Sequence, residues 1–338
     1  MFEGNKLNVS SSPHLHCGES TRTIMLDVII ALIPAAVMSV LLFGSRTLLI
    51  MSVSVVSCVL FEYITRKILK RSNSIGDFSA VITGILLAFN LPSNIPLWTI
   101  IIGAFVAIVI VKQFFGGIGQ NFVNPAVVGR ITLMVSFPQY MSVKLWPDPK
   151  LISSAADATT SASPLALISD GTIKSLAETF SRNADVPKYS IVDMFLGFRP
   201  GCLGETCIAA LLIGGIYLVF RKVISPIIPL VFMGTVVGIT WICGQNPLYN
   251  LMSGGLVLGA IFMATDYTTC PINKKGKIIY ALGCGLITAV IRLFGSMPEG
   301  VSVAIVLMNI LVPHIERITT PKPFGYVKQK KSKDGEAA

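Results

Sequence analysis

The chain has 338 residues, 53% of them hydrophobic and only 13% charged, whereas a soluble domain carries roughly 25% charged residues. This composition excludes a soluble single-domain protein, because several apolar runs reach the roughly 20 residues needed to cross a hydrocarbon core of about 30 Å. The net charge of +10 does not imply nucleic acid, since Lys and Arg concentrate in short loops and the C-terminal tail, where membrane topology places them.

Residues 1–23 are polar and include Glu3, His14, Glu19 and Arg22. No small-residue cleavage site follows the first apolar run, so a cytoplasmic segment is expected there and not a removable signal peptide. Ten spans are expected near residues 24–43, 47–65, 77–92, 96–114, 122–139, 204–221, 224–243, 249–266, 276–295 and 299–317. The predicted fold is therefore an all-α polytopic membrane protein of about ten transmembrane helices, with five in residues 24–139 and five in 204–317. Arg66, Lys67, Lys70, Arg71, Lys112, Arg221, Lys222, Lys274, Lys275, Lys277 and the Lys-rich tail at 318–338 then share one side, with both termini in the cytoplasm of a cell membrane. The opposite loops, at Asn94, Gln245 and Met297, are nearly free of Lys and Arg. The long polar segment 140–203 falls on the extracytoplasmic side, with weak helix signals apart from an amphipathic stretch near Ile173 to Phe180.

The halves resemble each other. Thr83 to Pro92 falls against Leu258 to Asp266, each a short apolar run closed by polar residues with Pro92 or Pro271 close behind. Gly103 to Gly117 parallels Gly283 to Gly295. A repeat with an odd number of spans inserts upside down relative to its twin, the inverted-repeat plan of many transport proteins. The third and eighth spans read either as helices that stop partway through the membrane, lining a cavity, or as ordinary helices with tight loops.

Three constellations carry chemistry. In Gly116-Gly117-Ile118-Gly119-Gln120-Asn121-Phe122-Val123-Asn124-Pro125-Ala126 the glycines permit close backbone approach and Asn121 and Asn124 supply amides; no βαβ unit surrounds it, so it is no dinucleotide fingerprint. A structural tight turn is the plain alternative. Arg130, among Val127, Val128, Ile131 and Leu133, implies an anionic ligand or a buried carboxylate unless it reaches the headgroups. The second constellation, Met263 to Pro271, clusters Thr265, Asp266, Thr268 and Thr269, where Asp266 either meets a ligand or caps a helix. Glu205 and Glu299 read most simply as acids at helix starts. The third, Asp157 to Ala166, holds Thr159, Thr160, Ser161 and Ser163, a flexible linker by composition unless a hydroxyl there is esterified. The seven cysteines show no CxxC pair and no metal spacing.

Val9-Ser10-Ser11-Ser12-Pro13-His14, the Gly-Gly-x-Gly-x-Asn-x-x-Asn-Pro-Ala run, Ala264-Thr265-Asp266 with Pro271, and Pro298-Glu299-Gly300-Val301 with Leu307-Met308-Asn309 together resemble the D subunit of the Rnf complex, related to the B subunit of the sodium-pumping NADH:quinone oxidoreductase. The resemblance implies a subunit of a membrane translocase that passes electrons between ferredoxin and NAD, coupled to Na+ or H+ movement, and that acts only with the other Rnf subunits (A, B, C, E and G). It also implies FMN joined through its phosphate to a hydroxyl by a flavin transferase. The motif Asp-x-x-Ser/Thr-Gly-Ala-Thr matches Asp157, Thr160, Ser161, Ala162 and Ser163, with Ser161 in place of glycine and Ser163 in place of the attachment threonine. Ser163 is the expected site and Thr160 the alternative. A second, non-covalent flavin, often riboflavin in relatives, is expected near Asn121, Asn124, Arg130, Thr265 and Asp266. The short segment before the first span favours the Rnf member over its quinone-reducing relative. A solute channel is the rival from another class, since ammonium and urea channels have a similar fold.

Overall fold

The computed structural model describes residues 20–141, 146, 147, 149, 160, 161, 165, 190–295 and 299–321. Helix α1 (Thr21–Phe43) begins where the Ser20 Oγ accepts from the Thr23 amide, 3.2 Å, satisfying a donor the first turn leaves open. It is followed by α2 (Arg46–Ile68), α3 (Ser79–Phe89), α4 (Leu97–Phe105, continuing as a π-helix over Val106–Gln113) and α5 (Pro125–Ser136). A two-residue antiparallel ladder pairs Trp146–Pro147 with Thr160–Ser161. Within the expected polar segment a short helix, α6 (Ile191–Leu196), precedes α7 (Ile208–Phe220), α8 (Ile227–Ile242), α9 (Pro247–Met252), α10 (Leu256–Leu258, continuing as a π-helix over Gly259–Met263), α11 (Lys274–Phe294) and α12 (Val301–Thr319).

The protein is a polytopic, all-helical membrane protein. Four helices, α1, α2, α11 and α12, are long and apolar enough to cross a bilayer, and shorter apolar helices accompany them. Two expected spans differ in form from simple helices. At 11 residues α3 rises about 16 Å, about half of a hydrocarbon core, and ends at Asn90. The eighth expected span is broken: α9 stops at Met252 and α10 starts at Leu256, and between them Gly254 has φ +63°. The fifth starts three residues later than the hydropathy suggests, because Asn124 caps its first turn, accepting from the Ala126 amide at 3.1 Å, and Pro125 takes the first helical position.

Helices α1 and α7 pack together, α2 packs on α3 and α4, α8 on α11, α11 on α12, and α5 on α12. A β-carbon at Gly214 of α7 would collide with the Ala31 carbonyl of α1, so glycine is what allows those two backbones to approach. The largest buried cluster, which includes Leu32, Phe89, Val127, Phe232, Phe262, Tyr280 and Ile305, lies between the N-terminal and C-terminal helices. Leu48, Val56, Ile216, Leu230, Leu286 and Leu311 point outward, as a lipid-facing surface requires.

Candidate functional site

The first turns of α3 and the π-helical end of α10 leave space between the two sets of helices. A cavity of about 100 Å³ opens there. Its walls are mostly apolar: Met25 and Val28 of α1, Ile82 and Leu86 of α3, Leu218 of α7, and Ile261 and Phe262 of the π-helical end of α10. Set into them are polar groups that include Lys112 from the π-helical end of α4, Asn121 and Asn124 from the glycine-rich loop, and Thr265, Asp266 and Thr268 beyond α10.

The glycine-rich loop reaches the cavity through a run of left-handed backbone, with φ of +124° at Gly116, +104° at Gly117 and +85° at Gly119, which only glycine adopts at no steric cost. The loop then delivers Asn121, whose Nδ2 donates to Val123 O at 3.2 Å and to Thr268 Oγ1 at 3.4 Å. Asn124 Nδ2 donates to Met263 O at 3.2 Å while its Oδ1 caps α5. These two amides tie the first motif to the second across more than a hundred residues of sequence. Asp266 is held from its own side: Thr268 donates to it through its amide (3.2 Å) and its hydroxyl (3.0 Å), and Thr269 Oγ1 adds a 3.5 Å contact.

Lys112 brings a charge to the wall, and a carboxylate neutralises it. Its Nζ donates to Glu62 Oε2 and to Ser79 Oγ, each at 2.7 Å, with both Lys112 and Glu62 buried. Ser74 Oγ donates to the other Glu62 oxygen at 2.5 Å. Both cavity-lining helix ends, at Lys112 and at Phe262, are π-helical, a form concentrated at functional positions.

Four of the five expected flavin-contact residues thus line one cavity. Arg130 does not. It lies further along α5, buried, where Nη1 donates to Asn90 Oδ1 at 2.7 Å and Nη2 pairs with Glu299, just before α12. The sequence implied an anionic ligand or a buried carboxylate for it unless it reached the headgroups, and in the structure it pairs with a carboxylate, Glu299. Thr160 sits in the short ladder, while Asp157 and Ser163 lie outside the described residues. The sequence did not pair Lys112 with Glu62: Lys112 reads only as a cytoplasmic-side charge, and Glu62 stands in no motif. Their signal was a Glu and a Lys each placed inside an apolar run.

A polytopic helical bundle with a polar-studded cavity between its two sets of helices, and ionised groups buried beside it, is the architecture of a membrane transport or electron-transfer subunit. The sequence comparisons narrow this. The chain belongs to the NQR2, RnfD, RnfE family, whose description matches residues 8–325. It is 44% identical, over 97% of its length and 98% of the relative's, to the D subunit of the Na(+)-translocating ferredoxin:NAD(+) oxidoreductase complex of Acetobacterium woodii. It is also 44% identical, over 95% of its length and 97% of the relative's, to the D subunit of the proton-translocating ferredoxin:NAD(+) oxidoreductase complex of Clostridium ljungdahlii. The D subunit of the ion-translocating oxidoreductase complex of Stutzerimonas stutzeri is 35% identical, over 90% of this chain and 92% of the relative.

Proposed function

We propose that this chain is the D-type membrane subunit of an Rnf-type complex, relaying electrons between ferredoxin and NAD in a process coupled to Na+ or H+ movement. In this reading it works with the A, B, C, E and G subunits in the cell membrane. It has ten spans in two inverted five-helix repeats, and both termini are cytoplasmic. A flavin transferase esterifies FMN to Ser163 in an extracytoplasmic 140–203 segment, and a second flavin without a phosphate occupies the cavity between the repeats.

The observation that carries this reading is the meeting of Asn121 and Asn124 with Thr265, Thr268 and Asp266 around one largely apolar cavity. A flavin ring is flat and apolar on its faces and carries alternating hydrogen-bond donors and acceptors along one edge. Apolar walls suit the faces; amides, hydroxyls and a carboxylate suit the edge. The one cation among the described lining residues, Lys112, is neutralised by Glu62, so they keep no spare positive charge for a phosphate. That balance favours riboflavin over FMN there.

When bound, a flavin supplies one- and two-electron transfer. This chain's own residues hold and orient. Asn121 and Asn124 anchor the glycine-rich loop to the start of the second motif. Lys112 places a positive dipole at the wall, fixed by Glu62, and Asp266 is restrained by Thr268 and Thr269. The covalent link at Ser163 keeps its flavin at high effective concentration.

Intact mass of the matured chain tests this. The expected mass is that of the polypeptide plus one FMN less one water, and Ser163→Ala should return the bare polypeptide and abolish in-gel flavin fluorescence. Fluorescence that survives Ser163→Ala and disappears in Thr160→Ala would move the ester to Thr160; a matured wild-type chain of bare mass would reject the flavoprotein in favour of a pore.

A further inference from the structure

The part of the cavity wall that α1 contributes is held in place by two polar clasps. Asp27 is buried in the second turn of α1, between Met25 and Val28, which line the cavity. A carboxylate inside an apolar helix needs a partner, and α7 supplies two. Tyr217 Oη donates to Asp27 Oδ1 at 2.9 Å, and Arg221 donates to Oδ2 through Nε at 3.2 Å and Nη2 at 3.0 Å. Tyr217 and Arg221, four residues apart, share one face of α7, and Leu218 beside them lines the same cavity. On the other flank of α1 the Arg22 guanidinium lies 5.3 Å from the centroid of the Phe78 ring, a cation–π distance. Phe78 directly precedes α3, and Ser79, the first residue of that helix, lines the cavity too. The Phe78 φ of +61° is an outlier for a bulky side chain, strain of the kind that persists where a position is functional.

These bonds are not needed to join α1 to α7. One turn further along, the two backbones already meet where Gly214 sits against the Ala31 carbonyl. That contact is buried and apolar, so separating it exposes surface with nothing in return. The clasps differ. The Arg221 side chain is 47% exposed and Arg22 is exposed, so either cation can exchange its partner for water at small cost. Pro34 lies beyond them in α1 and cannot make the backbone bond to the Ile30 carbonyl, which leaves the helix weakest just past the clasped turns. Ile24 of α1, with Val223 and Ile224 after α7, also lines the cavity, and all three are only partly buried. The wall is therefore partly exposed at the place the clasps secure, with a reversible fastening on one side and a weak point in the helix on the other.

We propose that the first two turns of α1 are a gate of the cavity, kept shut by Asp27 with Arg221 and Tyr217 and by Arg22 on Phe78, and that its opening sets how fast the cavity's ligand enters and leaves. The ligand in this inference rests on the non-covalent flavin proposed above for the cavity. Such a gate has a kinetic signature. While the open state is a minor population, association and release both scale with that population, so loosening a clasp speeds both by one factor and leaves affinity unchanged. A residue that holds the ligand itself would change release and affinity together.

The test follows tritiated riboflavin on the purified full chain in detergent, with association and release measured separately. Asp27→Asn, which removes the charge that the first clasp depends on, should speed both on the order of tenfold, with affinity held within about twofold. Arg22→Gln should speed both about threefold, and Asp27→Glu, which keeps the carboxylate, should stay closer to wild type than Asp27→Asn. Unchanged rates in Asp27→Asn and Arg22→Gln, or faster release with weakened affinity and unchanged association, would overturn the gate. A second readout needs no ligand: the thiol introduced by Val28→Cys should be alkylated by N-ethylmaleimide several-fold faster when Asp27→Asn is added, read by mass on its own peptide. Equal alkylation rates would overturn the gate as well. A wild-type chain that binds no riboflavin, yet shows the alkylation difference, refutes the flavin reading of the cavity and leaves the gate standing.

Discussion

Two buried charge systems sit at opposite ends of α7, which runs about 20 Å from Ile208 to Phe220. At the cavity end Lys112 meets Glu62 at 2.7 Å, Arg66 approaches the same carboxylate at 3.9 Å, and Ser79 and Ser74 hydroxyls bond to the pair. At the other end, among the described residues, three arginines (Arg130, Arg199 and Arg292) meet two carboxylates (Glu205 and Glu299); unpartnered polar atoms occur at both ends, at Arg130 Nε, Arg292 Nε and Glu205 Oε2 here and at Arg66 Nε and Gln113 there. Similar burial therefore serves different chemistry. The Lys112–Glu62 pair adds polarity to the cavity wall, with Arg66 as a second, more distant partner of the carboxylate.

The strongest way to break the comparison is to remove one carboxylate at each end. Glu299→Ala leaves Arg130 with its Asn90 hydrogen bond and the more distant charge of Glu205 in a buried site and should cost about 3–5 kcal/mol, read as a collapse in yield and thermal stability in detergent. Glu62→Gln at the cavity end should cost less, by at least about 1 kcal/mol, since Lys112 keeps Ser79 and an unpaired buried lysine can shed its proton where a guanidinium cannot. Equal losses would show that the balance of charge is not what separates the two ends.

A smaller effect is expected where the backbone passes close to the arginine end. Gly254 has φ +63°, and its β-carbon position is flanked by Arg292 Nη2 and Leu165 Cδ2. Gly254→Ala should cost about 1–2 kcal/mol from left-handed strain and shift the thermal transition of the matured chain more than Gly119→Ala does, where φ is +85° but no atom lies within 4 Å. Equal shifts would leave strain alone as the cause and remove the evidence that Gly254 gives the arginines room.

Much of this was legible before the fold was known, and the residues show why. Apolar runs located the helices, because crossing lipid leaves little latitude in composition. The amides at Asn121 and Asn124 and the hydroxyls around Asp266 stood out as polar residues at the ends of apolar runs, and the fold brings them together. Arg130 announced a partner through the cost of burying it, but not which one, since Glu299 lies 169 positions away and only tertiary packing joins them. Glu62 and Lys112 stayed hidden because Lys112 already had an explanation as a cytoplasmic-side charge and Glu62, inside α2, stands in no motif. The π-helical turns at Lys112 and Phe262 left no trace, since the same residues are compatible with an ordinary α-helix. Overall similarity has its own limit: two relatives equally similar to this chain are named for different ions, Na+ and H+, so the coupling ion follows from something finer than global identity.

The most delicate change separates holding a loop from holding a ligand. Asn121 Nδ2 makes a 3.2 Å bond to Val123 O within its own loop and a longer one, 3.4 Å, to Thr268. Asn121→Ala forfeits both, yet α5 keeps its cap from Asn124, so the stability loss should stay near about 1 kcal/mol. Asn121→Asp keeps an acceptor and removes the two amide donors, and it adds a negative charge to a cavity that already faces Asp266. If the cavity binds the edge of a neutral ring, both variants should keep the covalent flavin and its mass increment while acid-released, non-covalent flavin falls several-fold, with Asn121→Asp the more severe despite its closer shape. If Asn121 serves only the loop, the two variants should retain non-covalent flavin in proportion to their stability.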